Sequence, residues 1–320
     1  MFRRSWQAAM IALARSPGWK QWMQAQRAAS GLARRYVGGA DVDEAVETAR
    51  ALRSRNIRAS LFYLGEYVDT PALVEENVEA KIAVARRLAE AGLDVHVSVD
   101  PTQIGCAIDW VQGCDNAARI AEAVRSAAGN RPGVHCVMLD MEDFSVNEAT
   151  LELHDGLRKQ GFPMAQTLQA YLRKTYGDME WKVAQGARVR LVKGAFAAGA
   201  EIAFTARDEI DASYRRLIDL MLGDTAKATG FYPIFATHDH ALQAYARERA
   251  RARGWAQGSY EFEMLYGARP DVARDLAAAG ERIRLYLPFG RDWWPYAVRR
   301  IGENPRNALL LARSMVSARA

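Results

Sequence analysis

Two periodicities alternate along most of this chain. From Ala59 onward, short apolar runs with strand character recur at Ala59–Leu64, Val95–Val99, Cys136–Leu139, Met164–Ala170, Arg188–Val192, Pro233–Ala236, Tyr260–Leu265 and Arg284–Leu287. Between them lie stretches with apolar residues at helical spacing: Glu75–Ala91, Ala117–Ala127, Glu148–Gln160, Arg173–Gln185, Asp211–Ala228, His240–Gly254 and Pro270–Ala279. Strands that alternate with helices predict a parallel sheet, and eight of them predict a (β/α)8 TIM-type barrel. The competing architecture, a doubly wound open sheet, calls for a glycine-rich phosphate turn after its first strand. Leu64-Gly65-Glu66 is not one. Upstream, Asp41–Asn56 has Val42, Ala45, Ala49 and Leu52 on one side and reads as a lead-in helix. Ser5–Leu32 reads as short helices broken at Pro17-Gly18 and Gly31. The expected division is therefore a helical arm with its lead-in helix over 1–57, followed by the barrel over 58–320.

Composition narrows the class. The 320 residues are half hydrophobic, which suits one large barrel or two ordinary domains, and no composition break marks a linker. The net charge of +5 is dispersed in short runs, with no basic stripe or base-reading motif, so nucleic acid is not an expected partner. Cys106, Cys114 and Cys136 fit neither a disulfide framework nor a zinc spacing, which points to a reducing cytosol. The N-terminus fits neither a signal peptide nor a membrane span, so any membrane association is expected to be peripheral.

In a barrel the chemistry sits where strands end and loops begin. Here those ends carry Asp100, Asp140, Glu142, Gln169, Arg190, Lys193, His238, Asp239, Glu261 and Glu263. Inward charge must be paired or hydrogen-bonded, or it costs several kcal/mol. A ring this polar therefore points to a site. The last strand leads into a further segment. Pro288 and Gly290 end the strand, Asp292 is a plausible N-cap, and Tyr296, Arg299, Arg300 and Glu303 then share one helical face. Paired guanidinium forks match the two oxygens of a carboxylate. Glu303 can hold one arginine from behind, and Tyr296 can wall the pocket. The alternative is a solvated basic face with one surface salt bridge.

The stretch from Tyr286 through Pro288, Gly290, Tyr296, Arg299, Arg300 and Glu303 to Asn304 resembles the C-terminal signature of the proline dehydrogenases, flavoenzymes that oxidise proline to pyrroline-5-carboxylate. Internal motifs follow in family order from about Leu61 to Asn307. They are Asp140-Met-Glu142, Gln169 in Leu168–Leu172, Arg190-Leu-Val-Lys-Gly-Ala195, Thr205–Tyr214, Ala236-Thr-His-Asp239 and Glu261–Gly267.

The resemblance implies FAD as cofactor, a proline-like cyclic amino acid as substrate and a membrane quinone as electron acceptor. It implies that Arg190 lies over the reactive edge of the flavin, where a cation offsets the charge of the reduced ring. Asp140 would touch that arginine or the pocket, and Gln169 would accompany the pyrimidine ring. Val192, Lys193, Gly194 and Ala195 would line the flavin and its phosphates. Thr205 and Arg207, the latter where a lysine is usual, would stand on the phosphate side. His238 and Asp239 would meet the adenine and ribose. Arg299 and Arg300 would bind the substrate carboxylate, aligned by Glu303, while Tyr286, Tyr296 and Leu265 shape the ring pocket.

Two positions depart from the family pattern. Phe62 replaces an acid and Asp100 replaces a lysine, in Phe62–Glu66 and Ser98–Gln103. That exchange suggests a hydroxylated or otherwise modified proline. Two other readings stay open from the residues alone. One is a metal-dependent barrel hydrolase using His238, His240 and Asp140, with Glu142 and His135 as further ligands. The other is a barrel that binds flavin or an amino acid without turnover.

Overall fold

The computed structural model describes residues 35–65, 68–293 and 296–297. The expected helical arm over Ser5–Leu32, and with it Arg299, Arg300, Glu303 and Asn304, lies outside the described residues.

Helix α1 (Val42–Arg53) opens the described chain, with Asp41 accepting from the Glu44 amide as its N-cap. The barrel then runs β1 (Ile57–Tyr63), α2 (Pro71–Glu90), β2 (His96–Val99), α3 (Trp110–Ala128), β3 (Cys136–Leu139), α4 (Asn147–Lys159), β4 (Met164–Gln169), α5 (Thr175–Ala184), β5 (Arg188–Val192), α6 (Arg207–Met221), α7 (Asp224–Thr229), β6 (Tyr232–Ala236), α8 (His240–Ala252), β7 (Glu261–Leu265), α9 (Pro270–Ala278) and β8 (Ile283–Phe289). The eight strands pair in parallel, each with the next, and β8 pairs back onto β1 over Ile57↔Ile283 to Tyr63↔Phe289, which closes the barrel. The expected fold class is the observed one.

Local departures from the sequence reading have local causes. The expected helix Asp211–Ala228 is two, because the chain turns at Leu222-Gly223. Helix α3 starts seven residues earlier than its apolar pattern, where Asp109 caps the amides of Val111 and Gln112.

The core has two parts of opposite character. Outside the sheet, Leu61, Val97, Val137, Leu139, Leu191 and Phe235 pack under the helices in one apolar layer. That is the term that holds helices to barrel, at roughly 1.5–3 kcal/mol per fully buried large side chain. Inside, the apolar cluster is small: Cys136, Met138, Ala165 and Ile234. The rest of the interior is buried polar side chains, including Ser60, His96, Ser98, Thr167, Arg190, Glu261, Glu263 and Arg284.

Candidate active site

A cavity of about 780 Å³ opens at the C-terminal ends of the strands, within the size range of small-molecule and cofactor sites. Arg190 is its anchor. Strand β5 turns this side chain inward at a position that is 5% exposed. Its Nε and Nη2 donate to Thr167 Oγ1 at 3.0 and 2.8 Å, and its Nη1 donates to Glu263 Oε1 at 2.9 Å. Nη2 also pairs with Asp140 Oδ1. The guanidinium is thus fixed from β3, β4 and β7 at once. Tyr286 closes the arrangement from β8: its hydroxyl donates to Asp140 Oδ2 at 2.9 Å and its ring lies 5.4 Å from the Arg190 guanidinium carbon. Burial, reinforced by the negative charge of Asp100, pushes the Tyr286 phenol well above its ordinary pKa, so it acts as a hydrogen-bond donor.

One wall is built from the ends of β3 and β4. Glu142 accepts from the Thr102 amide at 2.9 Å and from its hydroxyl at 2.6 Å, which ties the β3 end to the turn after β2. Gln169 is 2% exposed, and its Oε1 has no hydrogen-bond partner. A buried acceptor with no donor costs about 1–3 kcal/mol, and this one lies on the wall of the cavity.

The opposite rim is cationic. Lys193 Nζ pairs with Asp239 Oδ2 at 2.9 Å and with Asp211. Arg207, with its side chain 84% exposed, stands 3.6 Å from the same Asp239 oxygen. Burial would raise the Asp239 carboxyl, but the Lys193 ammonium outweighs it and holds the pKa below the ordinary value. Asp239 also caps α8 through the Ala241 amide. Gly194 has φ +109°, and a Cβ there would lie 2.2 Å from the Tyr171 ring. Only a residue without a side chain lets the backbone run this close beside the cavity.

The remaining wall carries Asp100 and Leu265. Behind Asp100 stands Lys81 of α2, fully buried, with Nζ 2.9 Å from Gln103 Oε1 and 3.3 Å from Asn77 Oδ1. Burial pulls this amine down to about 7, against the opposing pull of the Asp100 charge. Sequence reasoning missed Lys81, yet a signal was present. Val74, Asn77, Val78, Lys81, Ile82 and Ala85 form one buried helix stripe, and a lysine within such a stripe points inward.

Of the residues singled out from sequence, Asp100, Asp140, Gln169, Arg190, Val192, Lys193, Gly194, Ala195, Arg207, His238, Asp239, Leu265 and Tyr286 come together around the cavity. Phe62 does not line it. It packs on Tyr286 with ring centroids 5.2 Å apart. Thr205 is exposed ahead of α6, and Tyr296 is buried. Glu263, which the strand-end pattern marked as polar and nothing more, lines the cavity floor.

The arrangement that a metal-dependent hydrolase would need is not formed. Strand β6 ends at Ala236, and His240 is the exposed first residue of α8, so His238 and His240 do not share an extended face. His238 Nε2 accepts from the Leu265 amide at 3.0 Å. Among the described residues no group of three or more histidine, cysteine or acidic side chains is placed to hold a metal ion.

Comparison with known proteins gives the family and the fold. A family model described as proline dehydrogenase matches residues 45–313. The proline dehydrogenase of Deinococcus radiodurans is 33% identical over 290 residues, covering 89% of this chain and 90% of that one. Proline dehydrogenase 2 of Bacillus subtilis strain 168 is 31% identical over 283 residues, covering 88% and 89%. Among solved structures, proline utilization A from Bdellovibrio bacteriovorus, inactivated by N-propargylglycine, superposes with a TM-score of 0.76 at 26% identity, covering 86% of this chain and 33% of that one. Proline utilization A from Corynebacterium freiburgense, at 20% identity and a TM-score of 0.73, shares the fold. The chain spans about a third of the length of these two structures.

Proposed function

The chain belongs to the proline dehydrogenase family and is an oxidoreductase, and from that premise we propose that it uses FAD to oxidise proline or a proline-like cyclic amino acid to the cyclic imine. The observation that carries this reading is the Arg190 cluster: a buried guanidinium, held on four sides, at the floor of a cavity large enough for an aromatic heterocycle and a small ring.

The residues present fit FAD. Gln169 Oε1 is a buried acceptor with no partner, suited to a ring N–H. Gly194 lines the cavity with its backbone, and a Cβ there would collide with the Tyr171 ring behind it. Lys193 and Arg207 supply cations on the rim for phosphates, with His238 and Asp239 on the same side, and Val192 and Ala195 line the approach; Thr205, two residues before Arg207, is a proposed phosphate contact on the family motif alone. When bound, FAD supplies the two-electron acceptor for the hydride that leaves the substrate ring.

The chain's own residues set the environment for that transfer. Arg190 provides fixed positive charge that needs no reorganisation as negative charge develops. Asp140 and Tyr286 lock its orientation. Leu265 and Tyr286, with Tyr296, bound the space for the substrate ring. Arg299 and Arg300, aligned by Glu303, are the proposed carboxylate clamp; their support is the match of that stretch to the family signature. Asp100 sets a carboxylate on the cavity wall, and Phe62 sets an aromatic ring behind Tyr286. Together they favour a substrate with an added hydrogen-bond donor, such as a hydroxylated proline. A quinone is the proposed electron acceptor. Among the described residues no helix is long and apolar enough to cross a membrane. A cytoplasmic enzyme, at most peripheral to the membrane, is the corresponding proposal.

Anaerobic mixing of the purified protein with a panel of proline analogues tests this. The expected result is a yellow protein whose visible absorbance bleaches with at least one cyclic amino acid, faster with a hydroxylated proline than with L-proline. A protein whose spectrum no cyclic amino acid changes would contradict a dehydrogenase role and favour a binding homologue. Bleaching by plain L-proline with the efficiency usual in the family would remove the modified-substrate reading alone.

A further inference from the structure

Glu263 is built into the cavity floor in a way that its neighbours are not. It points inward from β7, is 2% exposed, and lines the same cavity as Arg190. Oε1 accepts from Arg190 Nη1 at 2.9 Å, while Oε2 has no partner. An ionised carboxylate has about four acceptor sites to satisfy, and leaving one oxygen of a buried one bare is costly. Its surroundings add to that cost. Arg190 on β5 is already shared with Asp140 on β3. Glu261, two residues back on β7 and facing the same way, brings a second carboxylate. Arg284 on β8 offers a cation, but it is bound to Glu261 and to Asp94. The other titratable neighbours, Tyr286 on β8 and Cys136 on β3, are themselves held neutral by burial. Thr167 on β4 has its hydroxyl engaged by Arg190.

We propose that Glu263 carries a proton in the working enzyme and offers it from Oε2 as a hydrogen-bond donor to an acceptor atom of the molecule on the cavity floor. The proton removes the second negative charge from Arg190, so the guanidinium keeps one anionic partner, Asp140, and more of its charge acts on the cavity. Burial as the main cause, with Glu261 adding to it against the pull of Arg190, raises the Glu263 carboxyl above its ordinary range, in keeping with this assignment. As pH rises, ionisation of Glu263 therefore replaces a donor with an anion at the cavity floor. The consequence for catalysis rests on the cavity being the site of oxidation, as proposed above; the consequence for protonation does not.

The test compares the purified holoprotein with Glu263→Gln, which keeps a neutral donor at every pH, and Glu263→Leu, which keeps the volume and loses the donor. Infrared spectra at neutral pH should contain the carbonyl stretch of a protonated carboxylic acid, shifted in heavy water and missing in Glu263→Gln. In activity, Glu263→Gln should restore most of the neutral-pH rate that Glu263→Leu loses, and should lack the alkaline fall expected of wild type. Glu263→Leu should fall by about ten- to a hundredfold, the range for a buried hydrogen bond left unmade. Absence of the acid band from wild type overturns the proposal, as does a Glu263→Gln enzyme that is inactive while wild type turns over. If no variant, wild type included, oxidises any cyclic amino acid, the functional reading falls and the infrared band still decides the proton.

Discussion

The two ends of the barrel are both lined with charge but are finished differently. At the N-terminal end, Arg284 is fully buried and its donors are spent inside the protein, on Glu261 Oε1 at 2.7 Å, Asp94 Oδ2 at 2.8 Å and the Ala59 carbonyl at 2.9 Å. Arg58 adds a second cation 3.5 Å from Asp94. At the C-terminal end, Arg190 is held just as firmly, yet the groups around it leave atoms open: Gln169 Oε1 and Glu263 Oε2 have no partner, and the cavity lies over them. A network closed on itself specifies and supports a fold. One that stops short of closing leaves acceptors facing the cavity, which is where the proposed cofactor and substrate would meet them. The polarity of an interior does not separate these cases; the accounting around each arginine does, since the partners of Arg284 are used up within the protein while His96 Nε2 is the atom left without a partner on β2 at that end.

The contrast can be broken at either end. The largest effect should come from Arg284→Met, which strands buried Glu261 without its cation and leaves Asp94 with Arg58 alone. Denaturant unfolding should show a loss of about 3–5 kcal/mol, with any folded protein retaining its substrate affinity. Arg190→Met should do the reverse: turnover should drop by about 100- to 1,000-fold, the usual scale for removing a preorganised electrostatic group, with a smaller change in stability. Equal stability losses in the two variants would erase the distinction drawn between the ends. Gly194→Ala sharpens it within the site. A side chain at φ +109° that meets the Tyr171 ring should cost about 1–3 kcal/mol and weaken cofactor retention, read as colour lost on gel filtration.

The smallest expected effect concerns Lys81. Its amine is held near 7 in the folded chain against an ordinary 10.5. Between those values the unfolded chain binds a proton that the folded chain does not, so stability should rise with pH across that window. Lys81→Met should flatten the rise and be more stable than wild type by about 1 kcal/mol at neutral pH. A wild-type profile already flat between pH 7 and 10 would contradict the burial of a neutral-leaning amine.

Much of the fold was legible in the chain because each strand is a short apolar run bounded by turn residues, and in a closed parallel barrel their order decides which strands are neighbours. Boundaries were less legible. The start of α3 is set by the Asp109 cap and not by an apolar residue, and the break at Leu222-Gly223 is two residues inside a continuing pattern. At the site, the charged strand ends marked Arg190, Asp140, Gln169 and Lys193 because inward polarity is rare. The isolation of Glu263 Oε2 was not legible, since it depends on how Arg190 divides its donors among three strands. Lys81 was half legible: its place on the apolar stripe is in the sequence, but its position behind Asp100 is not. The expected arginine clamp at Arg299 and Arg300 lies outside the described residues, and its role rests on the family signature.

The most direct test is a crystal structure of the protein as purified, read at the C-terminal face of the barrel. The expected result is a tricyclic ring in the cavity, with Arg190 against it and Gln169 Oε1 accepting from a ring N–H. A chromophore bound elsewhere on the chain, or a protein that crystallises colourless with that cavity filled by its own side chains, would contradict it.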